Sequence, residues 1–369
     1  MNPERDAWWS AIVVTRAISV IIPTYNRGAY LARTVDSVLA ACSDRDEIII
    51  VDAAENREAE SLIEKYDNQQ IRYIRQVNEG VSAARNYGLD LARNDLVAYV
   101  DDDDEWHPKK LDMQRALLEK HPEAVACFTN IWATTSDGEI LSDYLFQWGQ
   151  PVQNWNQLLG ETRTLAFEGF AQDSEYYIGD HYFNQMLDDY VLPSSLLIDR
   201  SRFKEAVFYR VGMQRNESWL YTSQVCRQGP VIYVDVDLAC HHGDAPNRLT
   251  SIPEVETVLS RLYVLENEFG QRSDFLKKHQ GAFNKRLTKE RNVLFAAVMS
   301  GSVERRRRVL MDNAHHGGRI AMGARVPEFG LSLLSVAFRL GSRLRRVFRR
   351  RAGHLSPAKV QPDQVEARE

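Results

Sequence analysis

The sequence predicts an α/β fold: a doubly wound, mostly parallel sheet with helices on both faces, followed by a helical C-terminal extension. Three observations carry this. Short continuous apolar runs recur at residues 18–22 (ISVII), 47–51 (EIIIV) and 96–100 (LVAYV), and runs of that length without polar alternation mark strands buried on both faces. Segments of helical spacing lie between them, and such alternation closes into right-handed βαβ units. The composition, 44% apolar and 26% charged over 369 residues, is that of a globular chain with room for about two domains.

The elements follow in order. The first strand is ended by Pro23-Thr24-Tyr25-Asn26-Arg27-Gly28, a cluster of turn formers. Leu31, Val35, Val38 and Leu39 then mark a helix, and the second strand ends at Asp52. Residues 57–66 read as a helix, 71–75 (IRYIR) as a third strand, 81–92 as a helix, and the fourth strand stops at Asp101-Asp102-Asp103-Asp104. Pro108 can open a helix to about residue 120, before a strand at 124–128. From 134 to 190 the pattern weakens into an aromatic, acidic stretch, read as an irregular substrate-facing region. Strands at 196–198 and 231–234, a helix at 219–227 and a helical region at 252–300 complete the reading. The implied division is an N-terminal extension (1–16), an α/β domain (17–251, with halves 17–130 and 131–251), a helical region (252–330), a basic helix (331–351) and a disordered tail (352–369).

Several classes are disfavoured. Cys42, Cys127, Cys226 and Cys240 form no CxxC pair, so neither a zinc ribbon nor a disulfide framework is indicated. The N-terminus carries acids where a signal peptide carries bases, and no run reaches the roughly 18 apolar residues of a spanning helix. A soluble chain in a reducing compartment is the expectation. The net charge of −5 hides an asymmetry, since residues 301–351 hold 13 Arg against the acids Glu304, Asp312 and Glu328.

Ligands of open α/β sheets bind beyond the carboxyl ends of the strands. No GxGxxG follows the first strand and no GxxxxGK[ST] occurs, which disfavours a dinucleotide site and excludes a P-loop. Four adjacent aspartates at a strand end repel one another unless a cation or donors compensate them. Mg2+ or Mn2+ takes carboxylate together with phosphate oxygens, and an Asp-x-Asp can put one carboxylate on the metal and the other towards a ribose. A solvated acidic loop is the bland alternative. Asp52 is a turn residue or an acceptor for a base, and Arg85 a solvated charge or a diphosphate contact.

Four ordered motifs, SVIIPTYNR, EIIIVD, NEGVSAARN and VDDDDEWHPKKL, resemble the family 2 glycosyltransferases of the GT-A fold. Weaker similarity (LPSSLLIDRSRF, RQGPVIYVD, NRLTS) extends to about Ser251. The resemblance implies inverting transfer from a nucleotide-diphospho-sugar, most often a UDP-sugar, with Mn2+ or Mg2+. It implies a donor pocket of Pro23, Thr24, Tyr25, Asn26, Asp52, Asn78, Gly80, Arg85, Asp101, Asp102 and Arg248, and metal ligands Asp101, Asp103 and Asp104, with His242 completing the shell.

The chain departs from the pattern in two places. Asp52-Ala53-Ala54-Glu55 stands where the family commonly has Asp-Asp-Gly-Ser, and Glu217-Ser218-Trp219 where it usually has Glu-Asp before an aromatic helix. The Asp of that pair serves the family as general base, so here the expected base is a serine. Glu217 is the substitute, with Asp180, Asp188 and Asp189 as other nearby acids; its bland reading is a helix N-terminal acid.

Leu333, Val336, Ala337, Leu340, Leu344 and Val347 line one helical face, with Arg343, Arg346 and Arg350 among the residues off it. A cationic amphipathic helix of this kind lies on anionic membrane; packing against protein is the alternative, and no nucleic-acid motif accompanies it. The functional expectation is a peripheral enzyme on the cytoplasmic membrane face that acts on a glycan or lipid-linked acceptor in cell-surface polysaccharide synthesis. A donor-binding protein that has lost transfer is the competing reading, and a sugar nucleotidyltransferase lacks its Gly-rich basic loop here.

Overall fold

The computed structural model describes residues 16–135, 137–146, 155–242, 254–300, 303–316, 320, 322, 324 and 325. Arg248, the basic segment 331–351, the tail 352–369 and all but the last residue of the N-terminal extension lie outside the described residues. The first strands are β1 (Ile18–Thr24), β2 (Glu47–Asp52), β3 (Ile71–Arg75) and β4 (Leu96–Tyr99), joined through α1 (Gly28–Ala41), α2 (Glu58–Ile63) and α3 (Val81–Leu91). Every residue of β1, β2 and β4 is buried, as continuous apolar runs require, while edge strand β3 is only half-buried and carries Arg72 and Arg75. α3 lies close on β1 because Gly88 has no side chain: a Cβ there would stand 2.5 Å from Ile21 Cγ2.

β5 (Glu105–Trp106), α4 (Lys110–Lys120) and β6 (Ala126–Thr134) follow. The segment expected to be irregular contains β7 (Ile140–Leu141), α5 (Trp155–Leu159), β8 (Arg163–Leu165), β9 (Ser174–Gly179) and α6 (Tyr182–Leu187). Its strands are short or aromatic, and their burial comes from cross-strand partners rather than from an apolar run. β10 (Leu196–Asp199), α7 (Glu217–Cys226) and β11 (Val231–His242) complete the sheet.

The strands take the order β3-β2-β1-β4-β10-β6-β11-β9-β8, with β5 on β11 and β7 on β6. The first four are mutually parallel. β10 then runs antiparallel between β4 and β6, which makes the second half mixed. β11 continues past Val234, where the sequence reading ended it, by shifting register at Asp235–Asp237. Two carboxylates interrupt the apolar run there, and the bulge accommodates them. It thereby carries His241 and His242 to the side of β5.

The helical region begins with α8 (Glu254–Val264), runs through a π-helical turn at Leu265–Phe269 and continues as α9 (Ser273–Ser300). Phe269 is buried and its ring lies 4.8 Å from that of Tyr182. The chain divides into compact units at residues 1–287 and 288–369. The second contains the end of α9 and α10 (Val303–Asp312), with Leu294, Met299 and Leu310 fully buried. No helix among the described residues is long and apolar enough to cross a membrane.

Candidate active site

The parallel register brings the strand ends to one edge: Thr24 pairs with Asp52, and Ile21 with Tyr99 two residues before Asp101. Thr24 donates from Oγ1 to Asp102 Oδ2 at 2.8 Å. Asp102 is buried, which pushes its carboxyl up to about 7 against the opposing pull of Arg27 and the Thr24 hydroxyl. Arg27 Nη1 stands 3.2 Å from Asp102 Oδ1 and 2.9 Å from Asp103 Oδ2. Asp104 Oδ2 accepts from Ser194 Oγ at 2.5 Å and its Oδ1 lies 3.3 Å from His241 Nδ1. The same Ser194 hydroxyl accepts from the Asp101 N–H at 3.2 Å, and its carbonyl accepts from Trp106 Nε1 at 2.7 Å. Ser194 therefore fixes both ends of the aspartate run.

Arg85 is buried on α3. Its Nη2 donates to Asp101 Oδ1 at 2.6 Å, its Nη1 to Glu217 Oε1 at 3.2 Å, and its guanidinium lies 4.8 Å above the Tyr209 ring. Burial works against the charge, but Asp101, Glu217 and the neighbouring ring more than offset it and hold the group fully protonated. Tyr209 is held in turn by Asn86, whose side chain bonds both its N–H and its carbonyl at 2.8 Å. Its other face stacks on Tyr221 at 3.9 Å. Glu217 is buried at the first position of α7, after Asn216 with φ 56. Near it, burial pushes the Asp189 carboxyl well up, reinforced by Asp188 and Glu217.

The remaining expected residues divide. Pro23 pairs with Val51 inside β1, Tyr25 is 48% exposed, and Asn26 has φ 55 and accepts from Asn56 at 3.1 Å. Gly80, at φ 89, stands immediately before α3 and donates its N–H to Asn78 Oδ1 at 3.0 Å. Asp52 is fully buried and closes a turn, with Oδ1 on the Ala54 N–H at 2.8 Å and Oδ2 on the Tyr73 hydroxyl. His242 does not face the aspartates: Nε2 lies 2.7 Å from Glu105 and Nδ1 2.8 Å from Thr134 Oγ1. Alternation along β11 turns the adjacent His241 to Asp104, with Nδ1 3.3 Å from Oδ1. Arg27, Ser194, His241 and Tyr209 were not singled out from sequence. Arg27 and Ser194 do sit in quoted motifs, which was the available signal.

Carboxylate oxygens are the hard donors that Mg2+ or Mn2+ takes, with phosphate and water oxygens completing the shell. Arg27 Nη1 stands between the Asp102 and Asp103 carboxylates, so a cationic group already meets this run of hard donors. Among the described residues no group of three or more His, Cys, Asp or Glu side chains is placed to hold a metal ion by itself. This donor set suits a cation held by one or two carboxylates and completed by a diphosphate.

This architecture is that of the GT-A fold. Residues 19–177 match the family described as Glycosyl transferase family 2. It is 40% identical over 97 residues to an uncharacterized glycosyltransferase of Nostoc sp., covering 26% of this chain and 30% of that protein. It is 32% identical over 132 residues to TuaG of Bacillus subtilis, named for teichuronic acid biosynthesis, covering 35% and 52%. The chain thus spans about a third to a half of these relatives. Among solved structures, residues 1–349 of S. aureus TarS, in complex with UDP-GlcNAc, superpose with a TM-score of 0.54 at 14% identity over 88% of this chain and 92% of that one. That likeness bears on the fold.

Proposed function

We propose that the chain is an inverting, metal-dependent glycosyltransferase that moves a sugar from a nucleotide-diphospho-sugar, a UDP-sugar first, to a glycan or lipid-linked acceptor in cell-surface polysaccharide synthesis. One observation carries this: the four-aspartate run at the strand edge beside Thr24 is joined through Arg85 to Glu217 on α7. The name of TuaG supports polysaccharide synthesis as the setting. In this reading Asp103, with Asp101 and Asp104, holds Mn2+ or Mg2+, which when bound neutralises charge on the departing diphosphate. Thr24, Tyr25 and Asn26 line the nucleotide, and Arg248 closes on it.

Glu217 takes the acceptor hydroxyl proton on Oε2, the oxygen not engaged by Arg85, as the acceptor oxygen attacks the anomeric carbon. Arg85 orients that carboxylate and Ser194 orients Asp104. Residues 331–351 attach the enzyme to the anionic cytoplasmic face of the membrane, where a lipid-linked acceptor is concentrated.

The test is UDP release from a panel of UDP-sugars with Mn2+ or Mg2+, with EDTA as control, beside Asp103→Ala. Metal-dependent release that the variant loses supports the assignment; an Asp103→Ala enzyme of full activity overturns it. The second reading, a binding protein without transfer, is favoured by Ser218 at the position of the family's base. It predicts metal-dependent UDP binding with no release from any donor and acceptor extract.

A further inference from the structure

Each carboxylate from Asp101 to Glu105 faces a basic side chain: Arg85 at Asp101, Arg27 at Asp102 and Asp103, His241 at Asp104, and Arg33 with His242 at Glu105. The fold compensates the acidic run internally, and the partners differ in how firmly they are held. The Arg85 side chain is 4% exposed, stacked on Tyr209 and tied to Glu217. Arg33 also donates to the Asp103 carbonyl at 3.2 Å, and His242 is clasped between Glu105 and Thr134.

Arg27 is placed differently. Its Nη1 reaches two neighbouring carboxylates, at 3.2 and 2.9 Å, and its side chain is 22% exposed. It also stands immediately before α1, at the open edge where the diphosphate of a donor would lie.

We propose that Arg27 is the counter-cation of the aspartate run in the donor-free protein, and that it trades Asp102 and Asp103 for the donor diphosphate when a divalent cation enters with the nucleotide. This rests on the donor-site reading and adds to it an exchange of ionic partners. Arg27 gives up Asp103 only as the divalent cation takes it, Asp102 keeps the hydrogen bond from the Thr24 hydroxyl, and Arg27 finds an anion in the diphosphate rather than being left unpaired in a half-buried position. Mn2+ alone must compete with a resident guanidinium, and UDP alone finds that guanidinium engaged. Together each favours the other, and reciprocity makes the coupling equal from both sides.

The experiment is calorimetric Mn2+ binding to the full chain, alone and at saturating UDP, for wild type, Arg27→Gln and Arg27→Lys, with melting curves to establish folding. The expected result is a wild-type Mn2+ affinity raised about tenfold or more by UDP. In Arg27→Gln, Mn2+ alone binds about tenfold tighter than in wild type and the UDP effect shrinks towards unity. Arg27→Lys, a point charge that serves two carboxylates less well, falls between them. Mn2+ alone binding Arg27→Gln no tighter than wild type overturns the exchange while leaving the donor site intact. If Arg27→Gln does not fold, Arg27→Lys carries the test, and an affinity equal to or below wild type overturns it. A wild type that binds neither UDP nor GDP with Mn2+ overturns the donor-site reading, and this proposal with it.

Discussion

Arg85 and Glu217 stand 132 positions apart in the chain and share a buried hydrogen bond of 3.2 Å. The other end of the same guanidinium holds Asp101 at 2.6 Å. One side chain therefore spans the aspartate edge and the first turn of α7, so displacing either carboxylate acts on the other through a rigid planar fork.

If Glu217 is the base, Glu217→Gln lowers the transfer rate by about 10²–10⁴-fold and leaves calorimetric binding of UDP with Mn2+ unchanged. Ser218→Ala, at the position where the family carries its base, leaves the rate near wild type. A Glu217→Gln enzyme within about tenfold of wild type would move the role elsewhere, with Asp189 the next acid to test.

Tyr209 has a buried phenol oxygen without a hydrogen-bond partner, while its ring lies between the Arg85 guanidinium and the Tyr221 ring. The ring, not the hydroxyl, is what positions Arg85. Tyr209→Phe is accordingly expected to keep kcat and to gain up to about 1 kcal/mol in urea unfolding, because an unsatisfied polar atom is removed. Tyr209→Leu loses a cation–π contact of about 0.5–2 kcal/mol, and kcat falls with KM for the donor little changed. Equal kinetics for the two variants would refute the positioning role.

Lys110 is fully buried, with Nζ 2.8 Å from Gln114 Oε1 and 4.1 Å from the Trp106 ring centre. Burial pushes its ammonium down to about 7. The unfolded chain, with an ordinary lysine near 10.4, binds more protons than the folded chain above pH 7, so stability rises with pH in that window by up to about 1.4 kcal/mol per unit. Burial pushes the Cys42 and Cys127 thiols up to about 12, an opposite effect that sets in above about pH 8.5. Urea midpoints at pH 7.0 and 8.5 should therefore rise more in wild type than in Lys110→Met. The same slope in both would mean that Lys110 folds in its charged form.

Legibility followed burial. β1, β2 and β4 are buried along their whole length, so their apolar runs announced them and the aspartates that follow. β9 was read as irregular because SEYYIG gains its place from aromatic partners on β11, which only the register supplies. The end of β11 was missed because Asp235 and Asp237 look like a strand terminus unless a bulge absorbs them. For the same reason His241 and His242 could not be told apart: alternation sends them to opposite sides, and sequence alone does not say which. Ser194 and Tyr209 meet Asp104 and Arg85 across 90 or more positions, with no local pattern to mark the encounter.

The position of β10 bears on how the protein is made. This four-residue strand fills the gap between β4 and β6, yet it follows β6 in the chain by some sixty positions. A nascent chain that has exposed the whole donor edge still has β4 and β6 as open edges until Asp199 emerges, and open apolar edges invite self-pairing. A fragment cut near residue 130 would keep every residue of the aspartate loop and still lack Ser194 and the strand that closes the sheet. Expression of residues 17–130 alone should therefore yield aggregates, and the shortest soluble fragment should extend at least through β11.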